Sequence, residues 1–328
     1  MSRKRFWLKW GLVAFGGLLV LGVLAAEVVL RVKYGFCQAV LMRNDDSYEY
    51  IAQASQTRRR FGNTIHYNSY SQRSDEPSEN AVKILFLGDS VVNGGTLTDQ
   101  DDLASMLVEK ELCVRLGGKF QVLNISSGSW GPDNCNAYLD KHGLFGASAL
   151  VLVASSHDAY DIMTNYQPAG NHVSYPDKQY SLALSELYFR YGDHVWYRLL
   201  GMFSRKAVKA DEAMAEFDRA NQVSKASREF NSGFKGILDK SKQAQIPMLL
   251  VLHAEIGEQR KGMFTQGGDE IQAFASENGV RLVDNLGKLE TKDYRENDPI
   301  HLSASGQRKL AKIILEELVK IIKCHKSD

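Results

Sequence analysis

The chain has 328 residues, 44% of them hydrophobic and 24% charged, with a formal net charge of +1. That composition supplies a sizeable core for one large α/β domain and excludes a disordered or fibrous chain. Near-neutral charge, with no basic stripe carrying interleaved aromatics, offers no electrostatic hold on nucleic acid, so none is expected as a partner.

Arg3, Lys4, Arg5 and Lys9 precede a run from Trp10 to Leu30 that is apolar except for Glu27. About twenty such residues span a bilayer, so residues 1–31 are predicted to be a retained anchor that holds the chain to a membrane. The positive flank comes first, and the positive-inside rule then leaves the N-terminus in the cytoplasm and everything after Arg31 outside. The expected location is the inner (cytoplasmic) membrane, single-pass, with the folded domain extracytoplasmic or periplasmic. The competing reading is a cleaved signal peptide with Leu24, Ala25 and Ala26 as its processing site. The apolar run continues through Val28, Val29 and Leu30, longer than a usual signal core. Glu27 and Arg31 are spaced to pair on one helix face near the outer interface.

Residues 32–80 are polar and turn-rich and read as a stalk and lead-in, with Asn68 to Pro77 running up to the first strand. From Val82 to Gly88 a nearly unbroken apolar run predicts a buried parallel strand, and Asp89, Ser90 and Asn93 lie in the loop that follows. Ligands bind at the carboxyl ends of strands in open α/β sheets, which makes Ser90 a candidate nucleophile. The competing reading is an ordinary strand-end turn, since Gly, Asp and Ser all favour turns.

A helix is then predicted from a Thr98 cap, with Asp99, Asp101 and Asp102 in its first turn, an apolar stripe of Leu103, Met106, Leu107 and Val114, and an end at Gly117 and Gly118. Phe120 to Ile125 reads as a second strand, opening into the loop Ser126 to Asn134, and Ala149 to Ala154 as a third, ending in Ser155, Ser156, His157 and Asp158. Residues 160–242 are too long for one crossover and read as a helical lid or substrate-facing insertion. Its aromatics, Tyr188, Phe189, Tyr191, Trp196 and Tyr197 among them, suit either a core or stacking on sugar rings. Ile246 to His253 and Val280 to Asn285 give the fourth and fifth strands, with a helix from Asp269 to Asn278 between them. The last helix has Ser303 as a candidate cap and docks through Leu310, Ile314, Leu318, Ile321 and Ile322. Alternating strands and helices imply right-handed crossovers and a three-layer α/β/α sandwich on a mostly parallel five-stranded sheet.

Neither His157 with Asp158 nor His253 with Glu255 shows a recognised zinc spacing, and no metal or cofactor is expected. Cys37, Cys113, Cys135 and Cys324 permit three full pairings and single out none, with buried free thiols as the equal alternative.

A serine hydroxyl needs a base, and the base an orienting carboxylate. Asp298 and His301, on a loop just before the last helix, can both face Ser90. Gly88, Asp89 and Ser90 followed by Asp298-x-x-His301 resemble the first and last blocks of the SGNH (GDSL) hydrolases, over roughly residues 60 to 322. The resemblance implies a flavodoxin-like hydrolase domain over 81–324 behind the anchor. Similar lead-in segments in membrane-anchored members imply that residues before the first strand pack on the domain, where a plain linker is the alternative.

It also implies an oxyanion hole made by the amide of Ser90, by a loop glycine five residues after a strand-end asparagine, and by an asparagine in a Gly-x-Asn-Asp block. Counting five from Asn124 lands on Ser129, with Gly128 adjacent, so either amide is the candidate donor. His157 stands in the asparagine's place and can donate from a ring nitrogen. The activity implied is that of a serine esterase on O-acyl esters, acetyl first, of an acylated small molecule or an extracytoplasmic carbohydrate. The alternatives are a polysaccharide O-acyltransferase using the same triad, and a non-catalytic scaffold of polysaccharide assembly that keeps the fold.

Overall fold

The computed structural model describes residues 3–192 and 227–325. The central part of the 160–242 insertion, with Trp196 and Tyr197, therefore lies outside the described residues. In chain order, α1 (Arg3–Tyr34) precedes two hairpins, β1 (Met42–Asp45) with β2 (Glu49–Ala52) and β3 (Gln56–Arg60) with β4 (Asn63–Tyr67). The main body follows as β5 (Val82–Gly88), α2 (Ser90–Asn93), α3 (Ala104–Leu116), β6 (Phe120–Ser126), α4 (Pro132–His142) and β7 (Ala149–Ser155). It is completed by α5 (Gly233–Gln243), β8 (Met248–His253), α6 (Ile256–Lys261), α7 (Gln266–Glu277), β9 (Arg281–Asp284) and α8 (Ala304–His325).

Two compact units are distinguished, and the larger takes residues 40–58, 63–177 and the described part of 223–328. Its five-stranded sheet is wholly parallel, in the order β6-β5-β7-β8-β9. Successive side chains of a strand point to opposite faces, and here both faces are apolar. Leu85, Leu87, Leu150, Leu152, Leu250 and Leu252 pack with Tyr138 of α4, Phe234 of α5 and Ile271 of α7. Ile84, Phe86, Val151, Val153 and Val251 pack with Val108 and Leu112 of α3 and with Leu310, Ile314 and Leu318 of α8. Helices therefore cover both faces of the sheet, the three-layer arrangement expected.

The helix after the serine loop starts later than its composition predicts. The Asp99 carboxylate caps a short 3-10 turn, Gln100–Asp102, and the α-helix begins at Ala104. Thr98 is occupied elsewhere, its carbonyl by Arg73 and its hydroxyl by Arg295. The buried stripe is accordingly Leu103, Ala104, Val108 and Leu112, while Val114 is exposed. In α8, Ser303 Oγ accepts the Gly306 amide at 3.3 Å, and Leu310, Ile314, Leu318 and Ile322 are buried.

Residues 63–80 lie in this unit with Asn68, Gln72, Arg73 and Ser74 buried. Arg73 donates to the carbonyls of Asn93, Gly95 and Thr98, bracing the loop that follows Ser90.

The smaller unit takes the described parts of 1–39, 59–62 and 178–222. Its α1 contains a 29-residue stretch, Phe6–Tyr34, long and apolar enough to cross a membrane. Glu27 and Arg31 pair on it at 2.7 Å. Residues 183–192 form a second helix. Cys37, Cys113 and Cys135 are free thiols.

Candidate active site

The parallel register brings the strand ends of the larger unit level, with Gly88 opposite Ser126 and Ser155 opposite His253. Ser90, the 127–129 loop, His157 and Glu255 each follow one of these ends. Gly88 must lack a side chain, because a Cβ there would come within 2.5 Å of Val92 Cγ2 and 2.9 Å of the Val153 carbonyl oxygen. Asp89 Oδ1 accepts the Val91 amide at 2.8 Å and so starts α2 with Ser90 as its first residue.

Ser90 Oγ lies 2.8 Å from His301 Nε2, and His301 Nδ1 lies 2.7 Å from Asp298 Oδ2. Asp298 Oδ1 also accepts the amides of Ile300 and His301, at 3.1 and 2.9 Å. Burial works to raise the Asp298 pKa and is outweighed by the hydrogen bond and charge of His301 and by these amides, which together hold it below the usual range. An anionic Asp298 accepts from Nδ1–H and leaves Nε2 with its lone pair toward the serine, the tautomer a general base requires.

The loop that carries them is tied at several points. Tyr294 bridges Leu302 across its base, Arg295 N donates to the His301 carbonyl at 2.9 Å, and Ile256 N donates to Pro299 O at 2.8 Å. His253, fully buried, spans Ile300 O at 2.9 Å from Nε2 and Asn285 Nδ2 at 2.8 Å from Nδ1. Since the amide nitrogen donates and the carbonyl accepts, the proton of this ring sits on Nε2. Burial pushes the His253 pKa down, so it remains neutral. It holds the backbone immediately before His301 and is a residue whose role nothing in its sequence neighbourhood signals.

His157 is surrounded by carboxylates. Its Nδ1 is 3.1 Å from Glu255 Oε1, and its Nε2 is 3.7 Å from Asp158 Oδ1 and 3.9 Å from Asp89 Oδ2. Burial works to lower the His157 pKa, but Asp158, the Glu255 hydrogen bond, Asp89 and Asp161 outweigh it and push it up to about 10. Glu255 is lowered in return, chiefly by the His157 hydrogen bond. Burial raises Asp158 well above the carboxylate range, in opposition to the His157 charge. The two shifts conflict, because a neutral Asp158 would not hold the His157 proton. The Glu255 contact is the shorter and assigns the charge to a His157–Glu255 pair. Asp89, His157 and Asp158 also offer three ligand atoms within 4.8 Å of one another, the one such set found among the described residues.

No protein-family profile and no curated protein matches the chain. Solved structures do. A lipase/acylhydrolase from Enterococcus faecalis is 14% identical over 72% of this chain and 94% of its own, with a TM-score of 0.40. A catalytic mutant of Axe2, an acetylxylan esterase from Geobacillus stearothermophilus, is 14% identical over 74% and 96%, with a TM-score of 0.42. TesA is 13% identical over 73% and 99%, with a TM-score of 0.44. These likenesses concern the fold, at low identity. What its site can do follows from its own side chains.

At the second SGNH block, Ser129 has φ +57° whereas Gly128 has no positive φ. The left-handed region favours glycine, so Ser129 holds a backbone conformation that glycine adopts more readily. The Gly128 and Ser129 carbonyls accept from Tyr50 Oη, at 2.9 and 3.2 Å. Asn124, Ser126 and Asn93 form a buried chain beneath the loop, with Asn124 Nδ2 donating to Val92 O at 3.0 Å and Asn93 Nδ2 to Ser126 O at 3.0 Å. At the third block, Asp158 Oδ2 accepts the Ser155 amide at 2.7 Å and fixes the turn that presents His157. Glu255 was not distinguishable in the sequence, where it is one acid in a His-x-Glu pair.

Proposed function

We propose that this chain is a serine esterase acting on O-acyl esters, acetyl first among them, with Ser90 as nucleophile, His301 as general base and acid, and Asp298 as the group orienting the ring. The observation that carries this reading is the unbroken relay from Ser90 Oγ through His301 to Asp298, with contacts of 2.8 and 2.7 Å. Ser90, just past a strand end, and His301, on a loop, meet at hydrogen-bond distance because the 294–302 loop is tied in place.

In the proposed reaction His301 Nε2 takes the Ser90 proton as Oγ attacks the ester carbonyl, and the imidazolium is stabilised by Asp298. The negative charge on the carbonyl oxygen is met by the amides of Ser90 and Ser129, the latter preferred over Gly128 for its backbone conformation, and by His157. The intermediate collapses with breakage of the C–O bond, and the departing alkoxide takes the proton from His301. Water then attacks the acyl-enzyme, giving its proton to His301. The carboxylic acid leaves and Ser90 recovers its hydrogen. General-base assistance of this kind contributes roughly 10² to 10⁴-fold.

We place the reaction outside the cytoplasm, on a protein held by α1 in the inner membrane, with acylated carbohydrate as the substrate class. The positive residues ahead of the apolar run support this orientation. The test is turnover of para-nitrophenyl acetate by the full chain and by Ser90→Ala, followed by acetate release from O-acetylated glycans. Turnover abolished in the variant supports the reading, and equal turnover in both overturns it.

A further inference from the structure

The smaller unit contains a hairpin that returns to the anchor helix. Ala39 and Gln179 exchange hydrogen bonds, with Ala39 N donating at 2.9 Å and Ala39 O accepting at 2.6 Å. Two residues on, Ser181 O accepts from Arg31 Nη2 at 2.5 Å. At Ala183 and Leu184 both amides donate to the Glu27 carboxylate, at 2.8 and 2.9 Å. The chain thus descends along α1 from the level of Ala39 to that of Glu27. The helix that begins at 183 then climbs back, for Tyr191, two turns on, packs on Phe36 with ring centroids 5.7 Å apart. A buried ion pair, Arg60 to Glu186 at 2.8 Å, and the Cys37 amide on Glu186 at 2.5 Å hold it in place.

This geometry fixes a height relative to the apolar run. Glu27 lies three residues before Leu30, about 4.5 Å inside its end at 1.5 Å per residue. Tyr188 and Phe189 follow Ala183 by one and a half turns, so they rise at most about 9 Å above the level of Glu27. They therefore sit within about 5 Å of the end of the apolar run. The headgroup layer on each side of the hydrocarbon is on the order of 5–8 Å thick. Leu182, Tyr188 and Phe189 are 54%, 72% and 65% exposed, and Val28 and Val29 of α1 are exposed as well. Large aromatics at this height are those of an interfacial belt. The clamp also accounts for a carboxylate in the span, which is costly if left unpartnered in hydrocarbon.

We infer that the 180–189 hairpin is a second membrane contact, with Leu182, Tyr188 and Phe189 seated in the outer headgroup region of the bilayer crossed by α1. The inference rests on α1 spanning that bilayer and is independent of the reaction. It fits a lipid surface, because the exposed side chains are large and apolar and lie at the height of the end of the apolar run.

The test uses the full chain in lipid nanodiscs, with an environment-sensitive fluorescent amino acid in place of Phe189 or, separately, of Leu19. Nitroxide lipids quench from headgroup, shallow or deep positions. The expected result is strongest quenching of the label at 189 by headgroup and shallow nitroxides, and of the label at 19 by deep ones. Glu27→Ala should release the hairpin and at least halve the quenching at 189 while leaving that at 19 unchanged. Deep quenching at 19 with none at 189 overturns the second contact and leaves the anchor standing. Absence of quenching at 19 overturns the anchor and the contact with it.

Discussion

Glu255 Oε1 holds His157 Nδ1 at 3.1 Å, leaving Nε2 as the ring nitrogen on the side of Asp89 and the serine loop. If Nε2–H meets the carbonyl oxygen as charge develops on it, the effect of His157 belongs to the transition state. Loss of one such donor costs on the order of 10² to 10³-fold in turnover. His157→Ala is expected to lower kcat by that factor with KM little changed, and His157→Asn to recover part of it through an amide N–H. Glu255→Gln, which keeps a hydrogen-bond acceptor but removes the charge, is expected to lower kcat by a smaller factor. Steady-state kinetics beside thermal melts check this, since a merely structural His157 would lower Tm and leave turnover near normal.

The same pair predicts a pH dependence of stability. The folded protein holds the His157 proton to about pH 10, against an ordinary value of 6.5. Protons bound more tightly in the folded state stabilise it, and the contribution is present in full below pH 6.5 and lost as pH rises through 10. Asp89, Asp158, Asp161 and Glu255 are the acidic groups that face the ring, and Glu255, the shortest contact, holds its proton. Tm should therefore fall between pH 6.5 and 10 in the parent more steeply than in His157→Asn. Equal slopes in melts across that range would remove the charged pair.

Arg73 is wholly buried, and its guanidinium donates to three carbonyls of the loop after Ser90. Arg73→Met leaves those acceptors unpaired, at a cost of on the order of 3 kcal/mol. Arg73→Lys should also lose stability, because an ammonium cannot reproduce the planar fork. Urea unfolding of both variants measures the difference.

Asp298→Asn keeps the shape of the loop but can donate to His301 where the carboxylate accepted, favouring the wrong tautomer. Replacement of a triad aspartate by asparagine costs roughly 10⁴-fold in kcat. Single-turnover acylation with para-nitrophenyl acetate should show the loss in the acylation step.

The centre of the sheet was legible because β5, β7 and β8 are nearly unbroken apolar runs ending in Gly, Ser or His, a pattern that buried parallel strands impose. Ser90 was legible because it follows such an end, and Asp298 and His301 because they stand three apart on a loop just before the last helix. The hairpins between Met42 and Tyr67 were not, since short strands such as Gln56–Arg60 are charged and carry no alternation strong enough to stand out from a polar stalk. Helix α3 was misplaced at its start because Thr98, a good cap by type, is held by two arginines distant in sequence. His253, Glu255 and Arg73 act through contacts with partners 20 or more residues away, which local pattern cannot reveal.

The most direct test of the central claim is labelling of the full chain with a fluorophosphonate probe, followed by peptide mapping. The account predicts one modified residue, Ser90, with labelling abolished in Ser90→Ala and strongly slowed in His301→Ala. A folded parent protein that remains unlabelled, or labelling that persists in Ser90→Ala, would contradict it.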